Sequence, residues 1–459
     1  MITEEAIESL REKQLAFFQS GESRELKWRK NALKRLKRLI TQHESALSNA
    51  LQLDLHRSAF DTYVAEIGPC LQEIDQLLRK LDSWSGPQKL TTPQHIHFWS
   101  KARVVPEPIG RVLIIAPWNY PYYLLFPPLA GALAAGCPVV LKPSEHLPHT
   151  SALCSELIQQ TFHEKEVALL QGDANFTQQL LNRPWDHIFF TGSTTVGKAV
   201  MAAAAPHLSP VTLELGGKCP AIVDQKANIA VAARRIAWGK LLNAGQTCVA
   251  PDHVWVHEEV YDDFVGLLKK ELRQQYHALG DDYTHLIHDA AFERMERLAH
   301  HTEAWQVAPP RREERHFPPV VLELENTSHA SMQEEIFGPL LPILPWSEAG
   351  QWPAFTTHLQ APLAVYYFGP KGKRWKRLQR ESRSGAIVRN EVVMHLAHPE
   401  LPFGGVGESG IGRYHGRHTL DCFTQQRAVM EKITWFDPPV RYAPYKGKLK
   451  WMKALFRLP

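Results

Sequence analysis

The chain has 459 residues, more than one hydrophobic core usually holds, so two or more domains are expected. Apolar residues make up 44% and charged residues 22% of the chain, which is typical of a globular protein and excludes a disordered one. The formal net charge of +4 is small for this length, and no nucleic-acid-binding motif is present, so no nucleic-acid partner is predicted. The six cysteines are scattered without a C-x-x-C pair and no HExxH motif occurs, so neither a metal site nor a disulfide framework is predicted.

The N-terminal part contains no targeting signal and reads as helical. Glu4, Glu5 and Glu8 are acidic residues that a secretory or mitochondrial signal would not carry. Residues 3–82 have a helical pattern with charged faces. Free thiols persist best in a reducing compartment, so a cytoplasmic protein is expected.

An uncharged run at residues 112–141 is long enough to span a bilayer, but it contains five prolines. A continuous helix is therefore excluded. The run instead predicts a buried strand at 111–116, a loop around Asn119, a helix at about 124–135 and a second buried strand at 139–142. Continuous apolar strands are typical of parallel sheets that are covered on both faces.

The alternation of helices and strands continues along the chain. Helices are predicted near 149–162, near 176–181 and up to about 205, and strands at 167–171, 187–190 and 211–215. This order predicts a doubly wound α/β sheet. The last strand ends in Gly216-Gly217 and a new α/β run begins at 221–224, so a domain boundary is placed there. The Pro- and Arg-rich residues 308–319 read as a surface loop.

Two short segments contain residues suited to covalent catalysis. Cys248 follows Asn243-Ala244-Gly245-Gln246-Thr247, and Glu214 precedes a glycine pair. A thiol with a small approach and a nearby carboxylate are typical of a nucleophile and its base. A lone cysteine is more often a small buried apolar residue, and by itself Cys248 does not exclude that alternative.

Two other segments fit a nucleotide. Gly192 and Gly197 lie between an apolar strand and a helix, where backbone amides and the helix dipole can receive a phosphate. The spacing is not the G-x-G-x-x-G fingerprint, and a plain strand-to-helix turn explains it equally well. Lys142 and Glu145 follow a neighbouring strand and can hold ribose hydroxyls, or simply form an exposed ion pair.

A series of motifs covers nearly the whole chain and resembles the aldehyde dehydrogenase superfamily. In order, the motifs are Pro117-Trp118-Asn119-Tyr120-Pro121, Lys142-Pro143-Ser144-Glu145, Phe190-Thr191-Gly192-Ser193, Glu214-Leu215-Gly216-Gly217-Lys218, Gly245-Gln246-Thr247-Cys248, Glu334-Glu335-Ile336-Phe337-Gly338-Pro339 and Leu401-Pro402-Phe403-Gly404-Gly405. The short N-terminus, two of these motifs and the tail from Gly404 to Gly416 are similar to the class 3 branch. Cys219, where similar proteins usually have Ser, and Arg389 are small departures.

The resemblance implies two open doubly wound α/β domains and a small bridging β-sheet. The Rossmann-like NAD-binding domain would comprise residues 1–93 and 107–210, and the catalytic domain residues 211–420. Residues 94–106 and 421–436 would form the bridging and oligomerisation segment, with strand-like stretches at 95–106 and 424–432. Residues 437–459 would form a C-terminal tail. A homodimer is expected, because class 3 relatives lack the N-terminal extension of tetrameric ones.

The resemblance also implies the reaction, which is NAD(P)-dependent oxidation of aldehydes to carboxylic acids. Cys248 would form a thiohemiacetal and then a thioester, Asn119 would stabilise the oxyanion, and Glu214 would activate water. The cofactor residues implied are Lys142 and Glu145 for the adenosine ribose, Thr191, Gly192, Ser193 and Gly197 for the pyrophosphate turn, Leu215, and Glu335 and Phe337 for the nicotinamide ribose. NAD is expected to be preferred and NADP tolerated, and no metal is predicted.

Alternatives remain open for the reaction, the substrate and the tail. A CoA-acylating dehydrogenase or a non-catalytic protein that retains the fold would share the motifs. Class 3 relatives favour medium- to long-chain aliphatic or aromatic aldehydes; Trp118, Tyr120, Tyr122 and Tyr123 would line an apolar entry or belong to the core. The basic and apolar tail at 446–458 predicts a terminal helix that packs on the protein or, at most, makes weak peripheral membrane contact.

Overall fold

The structure is a computed structural model that describes residues 3–93, 95–300, 304–347 and 361–456. Helices form the N-terminal part, as predicted. They are α1 (Glu4–Ser20), α2 (Leu26–Gln42), α3 (Glu44–Leu55), α4 (Ala59–Thr62) and α5 (Gly68–Trp84), with a π-helical turn at Tyr63–Ile67 between the last two. Thr3 caps α1 by accepting a hydrogen bond from the amide of Ala6, which explains why the helix begins at Glu4.

A six-stranded sheet follows these helices. Its strands are β3 (Val112–Ile115), β4 (Val139–Lys142), β5 (Val167–Leu169), β6 (His187–Thr191), β7 (Val211–Glu214) and β15 (Gly410–Ile411), in the order β15-β7-β6-β3-β4-β5. Its helices are α6 (Phe126–Ala135), α7 (Pro148–Thr161), α8 (Ala174–Leu181) and α9 (Thr194–Ala204). Every pair is parallel except β15 with β7. The uncharged run is thus a buried strand, helix and strand, and no helix in the described part of the chain can cross a membrane.

A seven-stranded sheet forms the second α/β unit. Its strands are β8 (Pro220–Val223), β9 (His253–His257), β10 (Trp305–Gln306), β11 (Val320–Glu323), β12 (Leu340–Trp346), β13 (Ala364–Phe368) and β14 (Ala386–Arg389), in the order β10-β11-β12-β9-β8-β13-β14. All pairs are parallel except β10 with β11. The associated helices are α10 (Ile229–Leu241), α11 (Tyr261–Leu279), α12 (Asp289–Ala299), α13 (Ala330–Gln333), α14 (Lys373–Glu381) and α15 (Arg417–Cys422).

The change from one sheet to the other comes after β7. This strand pairs with β6, and residue 411 pairs back onto it, so both belong to the six-stranded sheet. The boundary predicted at residue 211 therefore falls inside a sheet. The chain leaves that sheet at Gly216-Gly217, where Gly217 has a φ of 156°, and enters the next at β8.

A third, small sheet lies apart from the two large ones. It consists of β1 (Gln88–Leu90), β2 (Lys101–Pro108) and β16 (Thr424–Glu431), all antiparallel. The predicted stretch at 424–432 is thus a strand, whereas that at 95–106 is extended only from Lys101. Trp99 has a φ of 51°, which interrupts extended backbone, and residue 94 lies outside the described residues.

The core is buried, whereas the C-terminal tail is exposed. One apolar cluster runs from the N-terminal helices through both large sheets, including Leu36, Leu129, Val254 and Leu268. The predicted terminal helix is α16 (Leu449–Leu455), and none of its residues is buried. Residues 457–459 of the predicted tail lie outside the described residues.

Candidate active site

A cavity of about 830 Å³ opens where strands of the six-stranded sheet end. Asn119 follows β3, and Thr191 and Glu214 are the last residues of the adjacent strands β6 and β7. The carboxyl ends of parallel strands are where open α/β sheets bind ligands. Nine of the predicted site residues line this cavity: Asn119, Thr191, Gly192, Ser193, Glu214, Leu215, Cys248, Glu335 and Phe337. The other three, Lys142, Glu145 and Gly197, are not among the described residues that line it.

Glu214 presents an unsatisfied carboxyl group to this cavity. Its side chain is buried, with a relative exposure of 2%, and neither carboxyl oxygen has a hydrogen-bond partner in the described part of the chain. Burial raises the pKa of Glu214 well above its usual range, and Arg413 opposes this rise. A buried polar group without a partner is costly, so the arrangement is suited to a water molecule or substrate that supplies the missing hydrogen bond.

Cys248 follows a turn whose backbone adopts left-handed conformations. After α10 the chain passes through three residues in the left-handed region, Asn243, Ala244 and Gly245, with φ values of 52°, 50° and 74°. A Cβ at Gly245 would lie 2.2 Å from the Gly338 carbonyl oxygen, so glycine is required there. Strained backbone of this kind persists only where the surrounding structure stabilises it. Here the strained turn places Cys248 at the lining of the cavity.

Gln246 holds the turn in place. Its side-chain amide donates to the carbonyl oxygens of Asn243 and His285 at 3.2 and 3.0 Å, and its Oε1 accepts from the amide of Ile287 at 3.1 Å. This short network spans 41 residues of sequence and ties the nucleophile loop to the segment before α12.

The surroundings of Cys248 disfavour its thiolate form. Burial and the carboxyl groups of Glu335 and Glu214 raise the pKa of Cys248 above its usual range, although the backbone amides of Cys248 and Val249 act in the opposite direction. A reactive cysteine needs its thiolate form. Cys248 therefore has to lose its proton before it can attack, and the carboxyl groups that line the cavity with it are those of Glu214, Glu334, Glu335 and Glu408.

Asn119 is oriented by one hydrogen bond and retains a second donor. Its side-chain Nδ2 donates to the Gln246 carbonyl oxygen at 3.1 Å, so Asn119 is joined directly to the nucleophile loop. An amide NH₂ carries two hydrogens, which leaves one for an oxygen in the cavity. Asn119 and Cys248 thus both line the same cavity. An oxyanion site requires donors that can reach one oxygen atom.

The aromatic residues near Asn119 divide into core and lining. Tyr122 is 1% exposed, stacks on Phe126 and donates to the Leu47 carbonyl oxygen, so it belongs to the core. Tyr120 is also buried, and its hydroxyl hydrogen-bonds Thr247 at 2.7 Å. Trp118 instead lines the cavity and meets the ring of Phe337 edge-on at 5.5 Å.

The turn between β6 and α9 is shaped for close backbone approach. A Cβ at Gly192 would lie 2.5 Å from the Phe190 ring, and one at Gly197 would lie 2.5 Å from Leu215. Ser193 caps α9 by accepting from the amide of Val196, and the buried Thr191 hydroxyl has no partner among the described residues. A helix N-terminus that faces a cavity fits a phosphate group. Gly197 does not line the cavity, and it contributes to this turn by packing against Leu215.

Lys142 and Glu145 form a pair at the carboxyl end of β4. Lys142 is 2% exposed, and its Nζ donates to the Pro143 carbonyl oxygen at 2.8 Å and to Glu145 at 3.0 Å. Burial acts to raise the pKa of Glu145, but its own amide and Lys142 outweigh that effect and the pKa is lowered. An ionised carboxylate on a fixed lysine fits the hydroxyl groups of a ribose better than a loose surface pair would.

Glu335 lines the cavity and packs directly against the glycine pair Gly216-Gly217. A Cβ at Gly216 would lie 2.0 Å from a Glu335 carboxyl oxygen, and the amide of Gly217 hydrogen-bonds this carboxylate. Burial raises the pKa of Glu335 to about 7. The glycine pair thus leaves space that the carboxylate fills.

Several residues that support the site were missed by sequence reasoning. The Lys218 Nζ donates to Asp252 and to the carbonyl oxygens of Ser331 and Glu334, and the amide of Ile336 donates to Asp252 at 2.9 Å. The buried Lys240 donates to the Gly338 carbonyl oxygen at 3.1 Å, and burial lowers its pKa to about 8. Lys218 lies within one of the motifs above, but two of its three acceptors are distant backbone carbonyl oxygens that no sequence pattern marks.

Comparisons with known proteins place the chain in a family. Residues 1–429 match the model of the aldehyde dehydrogenase family. The chain is 41% identical over 447 residues to 4,4'-diaponeurosporen-aldehyde dehydrogenase of Staphylococcus aureus, covering 96% of this chain and 97% of the relative. It is 37% identical over 437 residues to the dimeric NADP-preferring aldehyde dehydrogenase of Rattus norvegicus, covering 94% and 96%. It is also 37% identical over 442 residues to aldehyde dehydrogenase family 3 member A2 of Macaca fascicularis, covering 95% and 91%.

A solved structure matches the fold over almost its whole length. The substrate-bound state of a Staphylococcus aureus aldehyde dehydrogenase superposes with a TM-score of 0.95 at 40% identity, covering 98% of this chain and 99% of the other. The predicted two-domain α/β fold and the predicted class 3-like branch are confirmed. The chain therefore belongs to the aldehyde dehydrogenase family, and it is an oxidoreductase that acts on aldehydes.

Proposed function

We propose that the protein oxidises aldehydes to carboxylic acids with NAD(P), through covalent catalysis by Cys248. The observation that supports this most is the convergence of Cys248, Glu214 and Asn119 on one cavity, beside a helix N-terminus suited to phosphate. These are a nucleophile, a base and an oxyanion donor in one place.

In the first half-reaction the sulfur of Cys248 bonds to the aldehyde carbon, and the carbonyl oxygen becomes the oxyanion of a thiohemiacetal. The free N–H of the Asn119 amide and the backbone N–H of Cys248 stabilise that charge. Cys248 attacks as its thiolate, after the thiol proton has been released to solvent, and Glu214 is used only in the second half-reaction. Bound NAD(P) supplies the hydride acceptor that turns the thiohemiacetal into a thioester.

In the second half-reaction Glu214 acts as general base for hydrolysis. Its two unpartnered oxygens can accept a hydrogen bond from a water molecule that attacks the thioester carbon. The water proton goes to Glu214, the C–S bond breaks, and Glu214 passes that proton to the departing sulfur, so that the carboxylic acid leaves and the Cys248 thiol and the Glu214 base are regenerated. Burial of the carboxyl group supports this role, because it raises the pKa of Glu214 and so makes the carboxylate a stronger base.

Residues of the cavity lining, together with the pair at the carboxyl end of β4, would hold the cofactor. Lys142 and Glu145 would bind the adenosine ribose, Ser193 and the turn around it the pyrophosphate, and Glu335 the nicotinamide ribose. A 2′-phosphate would meet the charge of Glu145, although Lys142 at 3.0 Å from it reduces the repulsion. NAD is therefore the preferred cofactor and NADP is tolerated, a tolerance that the NADP-preferring relative supports. A kcat/KM for NADP ten times that for NAD would contradict this.

The substrates are medium- or long-chain aliphatic or aromatic aldehydes. The name of the Staphylococcus aureus relative supports an apolar substrate, and Trp118 and Phe337 provide aromatic surface in the cavity. A panel of aldehydes of increasing chain length, compared by kcat/KM, tests this. Values that fall steadily with chain length would exclude it.

The protein is proposed to work as a homodimer in the cytoplasm. The three-stranded sheet supports a dimer, because β16 is an edge strand whose residues are mostly exposed, and such edges pair readily. The name of the Rattus norvegicus relative, which calls it dimeric, supports the same assembly.

One experiment separates this reaction from the CoA-acylating alternative. Reduced cofactor is followed by absorbance, with and without coenzyme A, in the unmodified enzyme and in Glu214→Gln. Hydrolysis predicts turnover without coenzyme A, and a burst of reduced cofactor followed by little steady-state turnover in the variant. An unchanged steady-state kcat in Glu214→Gln would remove Glu214 from the mechanism, and turnover only with coenzyme A would establish acylation.

A further inference from the structure

Arg57 is a fully buried arginine that the mechanism above does not use. It lies in the short connection between α3 and α4, with a relative exposure of 1%. Its Nη2 donates to the Asn119 carbonyl oxygen at 2.6 Å and to the Asn243 Oδ1 at 2.5 Å, and its Nη1 donates to Glu66. The guanidinium also lies over the Tyr120 ring, 4.9 Å from its centroid.

Glu66 forms a buried ion pair with Arg57 and also contacts the backbone beyond Tyr120. Its side chain is 0% exposed, and besides Arg57 it accepts from the backbone amides of Tyr122 and Tyr123 at 2.7 and 3.2 Å. Burial raises the pKa of Glu66, whereas Arg57 and these two amides lower it. The pair therefore holds the chain on both sides of Tyr120, at Asn119 and at residues 122–123.

The same guanidinium also reaches the strained turn before the nucleophile. Asn243 has a φ of 52°, and its Nδ2 donates to the carbonyl oxygens of Asn119 and Gln246 at 3.1 and 3.0 Å. Asn119 in turn donates its own Nδ2 to the Gln246 carbonyl oxygen. Arg57, Asn243 and Asn119 thus form one network that joins the oxyanion loop to the loop of Cys248.

We propose that Arg57 is a positioning residue for the oxyanion site. It fixes the Asn119 backbone and, through Asn243, the turn that carries Cys248, so that the remaining Asn119 N–H and the Cys248 N–H point at one oxygen. This proposal rests on the proposed oxyanion role of Asn119. Arg57 itself is absent from the described residues that line the cavity, so it acts through Asn119 and Asn243 and not on the substrate.

The planar guanidinium is needed, and a positive charge alone is not enough. Arg57 serves three acceptors on different segments, which suits a rigid fork of donors. A lysine ammonium keeps the charge opposite Glu66 but is a compact point donor on a flexible stem. Arg57→Lys is therefore the informative variant, because it preserves the buried ion pair while it loosens the contacts to Asn119 and Asn243. Arg57→Met would leave Glu66 buried without its partner and is the harsher change.

A double-mutant cycle between Arg57→Lys and Asn119→Ala tests the proposal in the full-length enzyme. If Arg57 works through Asn119, Arg57→Lys lowers kcat for aldehyde oxidation by about 10-fold or more, a part of the 10²–10³-fold cost of losing one oxyanion donor. In the Asn119→Ala background the same substitution should then cost less than about threefold, because groups acting as one unit are not additive. The Kd for NAD should stay within about twofold in every variant, since Arg57 contacts none of the proposed cofactor residues.

Arg35→Met provides the matched control. Arg35 also forms a two-point ion pair, with Glu166, and contacts the Thr161 carbonyl oxygen, but it lies on α2 outside the described cavity lining. The Arg35→Met variant should have a lower melting temperature and an unchanged kcat. Full multiplicative losses in the double variant, or a loss in Arg57→Lys matched by Arg35→Met at equal stability, would overturn the role of Arg57. A change below threefold in Asn119→Ala alone would instead remove the oxyanion role, and the positioning role with it.

Discussion

The packing of Glu335 against Gly216 predicts how a single methyl group should weaken cofactor binding. In Gly216→Ala the new Cβ would lie 2.0 Å from a Glu335 carboxyl oxygen, far inside van der Waals contact. Gly216 does not adopt a positive φ, so alanine fits the backbone, and the clash falls on the mobile end of a side chain. The protein should therefore fold, with Glu335 displaced from the position proposed to hold the nicotinamide ribose.

The size of the effect follows from the contact that is lost. Hydrogen bonds to a charged group contribute about 1.5–3 kcal/mol, which corresponds to about 10- to 150-fold in affinity. Isothermal titration with NAD at pH 8, where Glu335 is ionised, should show a Kd raised by about that factor. The melting temperature should change little.

Gly266→Ala is the matched control for this substitution. Gly266 is exposed on α11, and a Cβ there meets nothing within 4 Å. Alanine in a helix is favoured over glycine by about 0.5–1 kcal/mol, so the control should be slightly more stable and bind NAD normally. If Gly216→Ala bound NAD within twofold of the unmodified enzyme, Glu335 would not hold the cofactor as proposed.

Four further outcomes follow from the site and the surface. Cys248→Ser should abolish dehydrogenase turnover, measured as reduced cofactor, because serine has no thiolate form; measurable steady-state turnover would exclude Cys248 as the nucleophile. Burial raises the pKa of Glu335 to about 7, above the value of about 4.3 in an unfolded chain, so its contribution to stability is complete below about pH 4 and is lost as the pH rises through 7. Urea midpoints at pH 5.5 and 8 should therefore differ more in the unmodified enzyme than in Glu335→Gln, and equal differences would contradict this. Light scattering at micromolar concentration should give a dimer, and a monomer or a tetramer would argue against the proposed pairing through β16. Anionic liposomes should pellet the full chain weakly and in a salt-sensitive manner, and a chain that ends at Tyr445 less; equal pelleting would remove the tail from any membrane contact.

The sheet strands could be predicted because burial on both faces leaves a clear signal. The apolar runs at 112–115 and 139–142 became β3 and β4, and the polar residues that follow such strands meet at one edge of the sheet. That geometry alone predicts that Asn119 and Glu214 lie close together. The start of β2 was misplaced by six residues, because the turn at residues 95–100 depends on the positive φ of Trp99, a conformation that the residue type disfavours.

The boundary at residue 211 shows a second limit. In the sequence β7 is the last strand before a glycine pair and a new apolar run, yet the domain range that begins at residue 211 assigned it to the second unit. Its hydrogen bonds, however, go to β6 and to the residues around Gly410, about 200 positions later in the chain. Pairing with a distant two-residue strand leaves no local pattern, so only the folded chain shows which sheet β7 joins.

The network around Arg57 explains why the motifs predicted the reacting groups but not their support. Motifs mark side chains whose chemistry is unusual, such as a thiol beside glycines. Arg57 instead acts on a backbone carbonyl 62 positions away and on a side chain 186 positions away, and a carbonyl oxygen is the same in every residue. A buried arginine in a helical, highly charged region is therefore indistinguishable in sequence from its solvated neighbours. Its burial at 1% exposure, together with three acceptors on separate segments, is what distinguishes it. The precision of the oxyanion site then depends on a residue nearly 200 positions from the nucleophile, because only a long-range contact can fix two loops relative to each other.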